Sequence, residues 1–133
     1  MSRKIKFRAW DTVEQDMVYD FAYDGGEMLG FIVSIDEAGL SVEKEGNADP
    51  DRFILMQSTG LKDKNGKDGY EGDLLRHDSR NQGKPIEIIW FDGGWCGKYR
   101  PNGHHSLFHL TANEMREAVI VGSIHENPEL LQK

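Results

Sequence analysis

The residues best suited to chemistry in this sequence lie close together in one stretch. Thiolate sulfur and imidazole nitrogen bind zinc and similar metals, and the stretch holds one cysteine and three histidines, Cys96, His104, His105 and His109. Only His105 and His109 have a spacing typical of a structural zinc site, and the cysteine has no cysteine partner. We therefore expect a polar loop with mild pH sensitivity rather than a metal centre.

A second group of potential ligands follows an apolar run in the middle of the chain. Asp63, Asn65 and Asp68 carry oxygen atoms, which calcium prefers as ligands. An EF-hand loop requires glycine at its sixth position and glutamate at its twelfth, but counting from Asp63 these positions hold Asp68 and Leu74. We therefore interpret the segment as the polar tip of a β-hairpin.

Motifs of catalysis and cofactor binding are missing from the sequence. It contains no glycine-rich phosphate loop, no nucleophile elbow and no cysteine–histidine–asparagine layout with a known spacing. We therefore predict no catalytic residues, no resident metal and no cofactor, and we do not expect an enzyme. A metal-dependent enzyme that uses a histidine with a carboxylate is the weaker hypothesis.

The first candidate binding surface is a basic face near the N-terminus. Polar and apolar residues alternate over residues 3–10, a pattern that predicts a β-strand buried on one face. The other face carries the basic side chains Lys4, Lys6 and Arg8. This face suits phosphate or an acidic partner, but such faces are more often solvated or paired with carboxylates of a neighbouring strand.

The second candidate is an aromatic hairpin, with predicted strands at residues 86–91 and 95–99 and a turn between them. Its candidate binding residues are Trp90, Trp95 and Tyr99. Such side chains stack on bases of single-stranded nucleic acid or bind proline-rich peptides. We expect most of them to fill a core, because only Lys98 and Arg100 supply positive charge nearby.

The elements that position these residues are organised around residues 53–75. The first four residues are continuously apolar, as in a strand covered on both faces, and Thr59 and Gly60 break this run. Asn65 and Gly66 predict a type I′ turn, which needs positive φ at both central residues. Residues 71–73 predict a tight bend into the next strand.

The remaining elements follow from local patterns. A hairpin is predicted over residues 3–23, packing on a core of residues 53–125, and residues 43–51 are predicted to form an exposed loop. Thr111 and Glu114 form a capping-box pattern that predicts a short helix over residues 111–117. Asn127 predicts the N-cap of a terminal helical turn. The apolar residues that we expect to dock on the barrel or on a neighbouring subunit are Leu130 and Leu131.

Length and composition limit the class of protein. With 133 residues, one cysteine and 15 glycines, the chain suits one domain of short strands without a disulfide framework. Its net charge of −7 argues against bulk affinity for nucleic acid, which relies on many basic contacts to phosphate. There is no export signal and no apolar run of membrane-spanning length, so we expect a soluble cytoplasmic protein.

Three segments, in order along the chain, carry a family pattern. They are IKFRAWDTVEQDMVY at residues 5–19, LMQSTGLKDKNGKDGYEGDLL at 55–75 and VIVGSIHENPELL at 119–131. They resemble the YopX family of small phage and prophage proteins, with one departure at Gly69, where we expect an apolar β residue. The resemblance implies a mainly β, SH3-like barrel forming one domain over residues 1–133. It also implies self-association, and it implies no established activity or site.

Two functional hypotheses remain open. The first is a non-enzymatic module for protein binding or assembly, encoded by a phage or prophage, which self-associates and contacts a host or phage protein in the bacterial cytoplasm. The second is a nucleic-acid-binding accessory protein that uses the basic strand face and the aromatic hairpin. Neither hypothesis involves a membrane.

Overall fold

Short antiparallel strands form most of the described chain, which comprises residues 6–22, 31–36, 39–44, 52–100 and 103–131 of a computed structural model. In chain order the strands are β1 Lys6–Asp11, β2 Asp16–Ala22, β3 Phe31–Asp36, β4 Gly39–Lys44, β5 Phe53–Lys62, β6 Asp68–Tyr70, β7 Asp73–His77, β8 Ile86–Phe91, β9 Gly94–Tyr99, β10 Ser106–His109 and β11 Ala118–Ser123. One sheet has the form of a half-barrel. The prediction of a mainly β, small-barrel fold is therefore confirmed.

The chain divides into two compact units, Met1–Ser58 and Thr59–Lys133. In the first unit, β1 lies between β2 and the first part of β5 and is antiparallel to both strands, while β3 and β4 pair with each other. Its small buried core consists of Phe7, Ala9 and Phe53, with Val18 and Leu55 packed against them. The predicted N-terminal hairpin is thus present as β1 and β2. Residues 3–5 and 23 of that prediction, and residues 45–51 of the predicted loop, lie outside the described residues.

The prediction that β1 is buried on one face only is wrong. Its residues from Phe7 to Asp11 are all buried, and Arg8 is only 1% exposed. β1 is hydrogen-bonded on both edges and is therefore a central strand, and its burial pattern shows that both of its faces are covered. The Arg8 guanidinium lies beside Tyr19, with Nη1 3.4 Å from the hydroxyl oxygen.

A buried ion pair ends β1. Arg52 donates two hydrogen bonds of 2.8 Å to the two carboxylate oxygens of Asp11. The backbone N–H groups of Val13 and Glu14 also donate to this carboxylate, so Asp11 organises the turn into β2. Arg52 directly precedes β5, and the pair therefore fixes β5 to the end of β1.

In the second unit, a five-stranded sheet has the order β10-β9-β8-β7-β11, and β6 pairs with β5. The α-helix α1, Ala112–Arg116, leads into β11. The buried core consists of Leu75, Ile86, Ile88, Leu110, Met115, Ala118 and Ile120. Ile86 and Ile88 alternate along β8 and supply one side of this core together with Leu75 of β7.

The turns of this unit differ from the predicted ones. In the β5–β6 hairpin the Gly66 N–H donates to the Asp63 carbonyl at 3.0 Å, and Gly66 has φ of +83° while Asn65 does not have positive φ. This geometry is a type I turn followed by a left-handed glycine, not the predicted type I′ turn. The type I′ turn instead joins β8 to β9, where Asp92 and Gly93 have φ of +52° and +80°.

The Asp63 carboxylate joins this hairpin to the sheet. Its Oδ1 accepts the N–H groups of Asn65 and Lys67, each at 2.9 Å, and its Oδ2 accepts the Ile120 N–H at 2.9 Å. The Lys64 N–H adds a bond of 3.0 Å to the Ala118 carbonyl. Asp63 is 5% exposed, so its oxygens act as structural acceptors.

The strand β5 is longer and less enclosed than predicted. It continues to Lys62 without the break expected at Thr59, whose hydroxyl accepts the Leu61 N–H and donates to the Gly69 carbonyl. Ile54 is 40% exposed, so the strand is not covered on both faces. Gly69 lies in regular strand β6, where a Cβ atom would approach the methyl group of Met115 to 2.8 Å. Such a Cβ atom would also lie 3.3 Å from Thr59 Oγ1 and 3.4 Å from Ile88 Cδ1, so glycine fits this buried position without displacing its neighbours.

Both predicted helical segments are present. Thr111 caps α1 by accepting the Glu114 N–H, and the 3-10 turn Pro128–Leu131 follows Asn127. The Asn127 side chain, however, accepts the Ser123 N–H rather than an N–H of its own turn. The predicted polar loop around the histidines is wrong in part, because residues 106–109 form the edge strand β10.

A glycine lets β10 lie close to its neighbour. Gly97 pairs with Phe108, and a Cβ atom at position 97 would overlap the Phe108 ring. That ring also makes edge contacts to His77 and Tyr99. Glycine in a strand commonly marks such a close approach.

We predict that Asp63→Ala lowers the free energy of unfolding by about 3 kcal/mol or more, because it removes three charge-assisted hydrogen bonds and leaves the buried Ile120 N–H without an acceptor. Urea denaturation would measure the change. The matched control is Asp68→Ala in the same hairpin, which removes a partly exposed ion pair with Lys62 and should cost less than about 1 kcal/mol. Equal losses in the two variants would contradict the role assigned to Asp63.

We also predict that Arg52→Gln changes the acid sensitivity of the fold. Hydrogen bonds from Arg52, followed by those from the Glu14 and Val13 N–H groups, lower the pKa of Asp11 from 3.8 to about 2 against the opposing effect of burial. A lowered pKa in the folded state gives stability that is complete above pH 3.8 and is lost as the pH falls through about 2.

The difference in urea midpoint between the wild type and Arg52→Gln should therefore be largest near neutral pH and shrink on acidification. Arg116→Gln, which changes an exposed arginine of α1, serves as the control and should shift the midpoint little at any pH. A wild-type advantage over Arg52→Gln that stays constant down to the lowest pH would refute the assignment.

Candidate functional site

The basic residues predicted near the N-terminus do not form an exposed surface in the described part of β1. Arg8 is buried, Lys6 is partly exposed, and Lys4 lies outside the described residues. The side chain of Arg8 is held against the Tyr19 ring, whose centroid is 5.8 Å from the guanidinium carbon. Phosphate could not reach Arg8 in this conformation.

The aromatic hairpin presents its tip to solvent. Trp90 and Phe91 are 55% and 53% exposed, although they are neighbours in sequence and point to opposite faces of β8. Trp90 is the cross-strand partner of Trp95, and the two rings meet edge to face with centroids 5.0 Å apart. We call Trp90, Phe91 and Trp95 the aromatic tip.

The aromatic side chains of the hairpin have two predicted roles, core filling and contact with a ligand. Their position along the hairpin decides which role each one can have. Trp95 and Tyr99 pack against the buried core of the second unit, as the core-filling interpretation predicts. Trp90 and Phe91 do not, because they lie beyond the last buried residue of β8 at the type I′ turn. A tight two-residue turn holds these exposed rings on a short, well-defined loop.

At the opposite end of the same hairpin, Tyr99 lines a cavity of 610 Å³. We call it the basic groove, after its basic side chains Lys84, Lys98, Arg100 and His105. The loop between β7 and β8 supplies one wall, the end of β9 supplies another, and the 3-10 turn Pro128–Leu131 supplies a third. The sequence pattern indicates Lys98 and Arg100 as the positive charge near the hairpin, but it does not indicate Lys84. Lys84 comes near them only through the pairing of β8 with β9.

One carboxylate lies in the basic groove. Glu87 is the cross-strand partner of Lys98, and burial raises the pKa of Glu87 although the Lys98 charge opposes this effect. The ammonium group of Lys98 therefore partly compensates Glu87. Lys84 and Arg100 form no ion pair within 4.0 Å among the residues that the structure describes.

The potential metal ligands noted in the sequence are not gathered into a four-ligand site in the described chain. Cys96 and His109 are cross-strand partners on β9 and β10, but Cys96 is buried and His109 is exposed. His104 and His105 are exposed in the segment before β10. The strand pairing therefore places His109 opposite Cys96, whereas the spacing typical of zinc sites joins His105 and His109.

A different histidine lies at the centre of a polar cluster. The His77 Nδ1 accepts the Ser79 N–H at 3.0 Å, so Nε2 carries the proton and donates to Glu114 Oε1 at 2.8 Å. Arg80 donates two further hydrogen bonds to Glu114, of 3.1 and 2.8 Å. The hydrogen bonds from Arg80 and His77 lower the pKa of Glu114 despite its partial burial.

This cluster is structural rather than catalytic. The hydroxyl oxygen of Ser79 lies 3.5 Å from His77 Nδ1, but that nitrogen already accepts the backbone N–H of the same serine. His77, Glu114 and Glu117 have ligand atoms within 4.8 Å of one another, yet Arg80 holds its positive charge against the same carboxylate and would repel a cation. The capping-box pattern identified Glu114, but its side chain reaches Arg80 instead of the helix N-terminus.

Arg80 links the cluster to the aromatic side chains of the sheet. Its guanidinium carbon lies 4.0 Å from the centroid of the Phe108 ring, a cation–π contact. Interaction with Glu114, followed by a smaller contribution from Tyr99, raises the pKa of Arg80. The cluster thus fixes the loop after β7, which continues into the wall of the basic groove.

No helix within the described ranges is long and apolar enough to cross a lipid bilayer. No curated protein matches the chain. Its fold matches the crystal structure of protein EF1440 from Enterococcus faecalis, with 31% sequence identity and a TM-score of 0.59 over 98% of this chain and 100% of the other. It also matches protein yopX from Bacillus subtilis, with 18% identity and a TM-score of 0.57 over 96% and 98% of the two chains.

The similarity to the Bacillus subtilis protein concerns the fold alone, whereas the Enterococcus faecalis protein is related in sequence along its whole length. The family model described as YopX protein matches residues 6–132, a range that includes the aromatic tip, the basic groove and the Asp63 turn. This match extends along nearly the whole sequence, and the three segments that resemble the family follow one another within it. The chain therefore belongs to the YopX family.

Proposed function

We propose that this chain is a non-enzymatic assembly module of a phage or prophage that self-associates in the host cytoplasm through the aromatic tip. The observation that carries the proposal is the exposure of Trp90 and Phe91, each by more than half, on a tight hairpin. Large aromatic side chains are enriched at the centres of protein interfaces and dominate their binding energy. Burying them against a partner removes apolar surface from water.

A second copy of the chain is the partner that the exposed aromatic surface favours. The chain carries a net charge of −7, so two copies repel each other except where apolar surface meets apolar surface. The aromatic tip provides such a surface, and the turn beside it carries one carboxylate, that of Asp92. Pairing about a two-fold axis would use the same patch in both copies, which is the commonest arrangement of homodimers.

Nucleic-acid binding by the predicted residues has less support. It needs exposed basic side chains beside the aromatic ones, but Arg8 is buried and Asp92, not a basic residue, adjoins the aromatic tip. Lys98 lies at the other end of β9. Nucleic-acid binding through β1 and the hairpin stays a prediction, and it ranks below self-association.

We predict that the wild-type protein is larger than its 15.1 kDa monomer in multi-angle light scattering. The double variant Trp90→Ser, Phe91→Ser should shift the mass to that of the monomer, because it replaces the exposed rings while the buried part of β8 is unchanged. Unaltered far-ultraviolet circular dichroism would show that the fold is retained.

The matched control is Val13→Ser, which removes an apolar side chain that is 62% exposed in the turn between β1 and β2. This variant should keep the wild-type mass. A monomeric wild type, or a double variant with the wild-type mass, would reject self-association through the aromatic tip. If the wild type is monomeric, the alternative is that the aromatic tip binds a host or phage protein. Capture of one defined protein through the tip would support that alternative.

A further inference from the structure

The basic groove lies at the end of the hairpin opposite the aromatic tip, and the proposed self-association does not use it. Its positive groups belong to two separate segments of the second unit: Lys84 to the loop before β8, and Lys98 and Arg100 to the end of β9. The imidazole of His105, from the segment before β10, also lines the groove. In a chain with a net charge of −7, this convergence produces a local field of the opposite sign.

The positive charges of the groove are only partly compensated within the described residues. Glu87 offsets Lys98 across the β8–β9 pair, whereas Lys84 and Arg100 have no carboxylate within ion-pair distance there. Concave surfaces lined by one sign of charge concentrate ligands of the opposite sign. Arginine and lysine together are well suited to phosphate, because arginine donates in a fork and lysine acts as a point charge.

The rest of the groove is apolar or neutral. Tyr99, Pro85 and the two leucines of the 3-10 turn, Leu130 and Leu131, line it beside the basic side chains. Leu131 is 47% exposed, so its side chain is available to a ligand. The cavity volume of 610 Å³ is in the range typical of small-molecule sites, roughly 300–1,000 Å³.

We propose that the basic groove binds a small molecule of the nucleotide class, with its phosphates on Lys84 and Arg100 and its base against Leu131. The carboxylate of Glu87 would repel a phosphate placed directly over it, and it can accept hydrogen bonds from sugar hydroxyl or base amino groups. This distribution of charge favours a nucleotide over inorganic phosphate, because only the nucleotide supplies both an anionic end and a neutral end with donors.

The test uses isothermal titration calorimetry on the full chain with two probes, ATP and inorganic tripolyphosphate, both without added metal. ATP should bind, and the affinity should weaken as the salt concentration rises. Lys84→Gln combined with Arg100→Gln should weaken ATP binding by about tenfold or more, the effect of losing at least one charge-assisted contact. Lys67→Gln, which changes an exposed lysine of the β5–β6 hairpin outside the groove, should bind as the wild type does.

Leu131→Ser separates the apolar part of the site from the ionic part. It should weaken ATP several-fold and leave tripolyphosphate unchanged, because only the nucleotide contacts the leucine wall. Failure of ATP to bind at low salt, or wild-type affinity in the Lys84→Gln, Arg100→Gln variant, would overturn the proposal. Tripolyphosphate binding as tight as ATP binding, unaffected by Leu131→Ser, would overturn the nucleotide class. None of these results depends on the oligomeric state.

Discussion

One carboxylate, that of Asp63, joins the β5–β6 hairpin of the second unit to its sheet. Asp63 accepts two N–H groups within its own hairpin and a third from Ile120 on β11, so local turn geometry and a long-range strand contact share one side chain. A buried carboxylate is stable only when its oxygens are fully hydrogen-bonded, and these three backbone donors meet that requirement. Asp11 has the corresponding role in the first unit, where it accepts the two N–H groups of its turn and the two donors of Arg52.

The sequence predicts most strands because they are short, apolar and separated by clear turn residues. It identifies the wrong turn as type I′, because an Asn-Gly pair is compatible with two turn types. The Asp63 side chain selects between them by accepting the N–H groups of Asn65 and Lys67. Likewise, alternation along β1 predicts a face with basic side chains outside the core, but both faces of the strand are covered and Arg8 is buried. Neither outcome can be read from a single segment.

The candidate sites were also predictable only in part, because each depends on contacts between separate segments of the chain. Trp90 stands out in the sequence as an aromatic residue near a turn, but its exposure depends on where the hairpin leaves the core. The basic groove combines residues that are more than 20 positions apart, since Lys84 and His105 meet only after β8 and β9 have paired. His77 and Glu114 have no shared pattern in sequence, and they meet because β7 passes beside α1.

The close approach of Gly97 to Phe108 also limits how this chain can vary. Any larger side chain at position 97 would displace the Phe108 ring, and that ring carries the contacts to Arg80, His77 and Tyr99. A change at one position would thus disturb an edge strand, a polar cluster and a groove wall together. Surface residues of the same hairpin are under no comparable restraint. Mutational tolerance along β9 should therefore be lowest at Gly97.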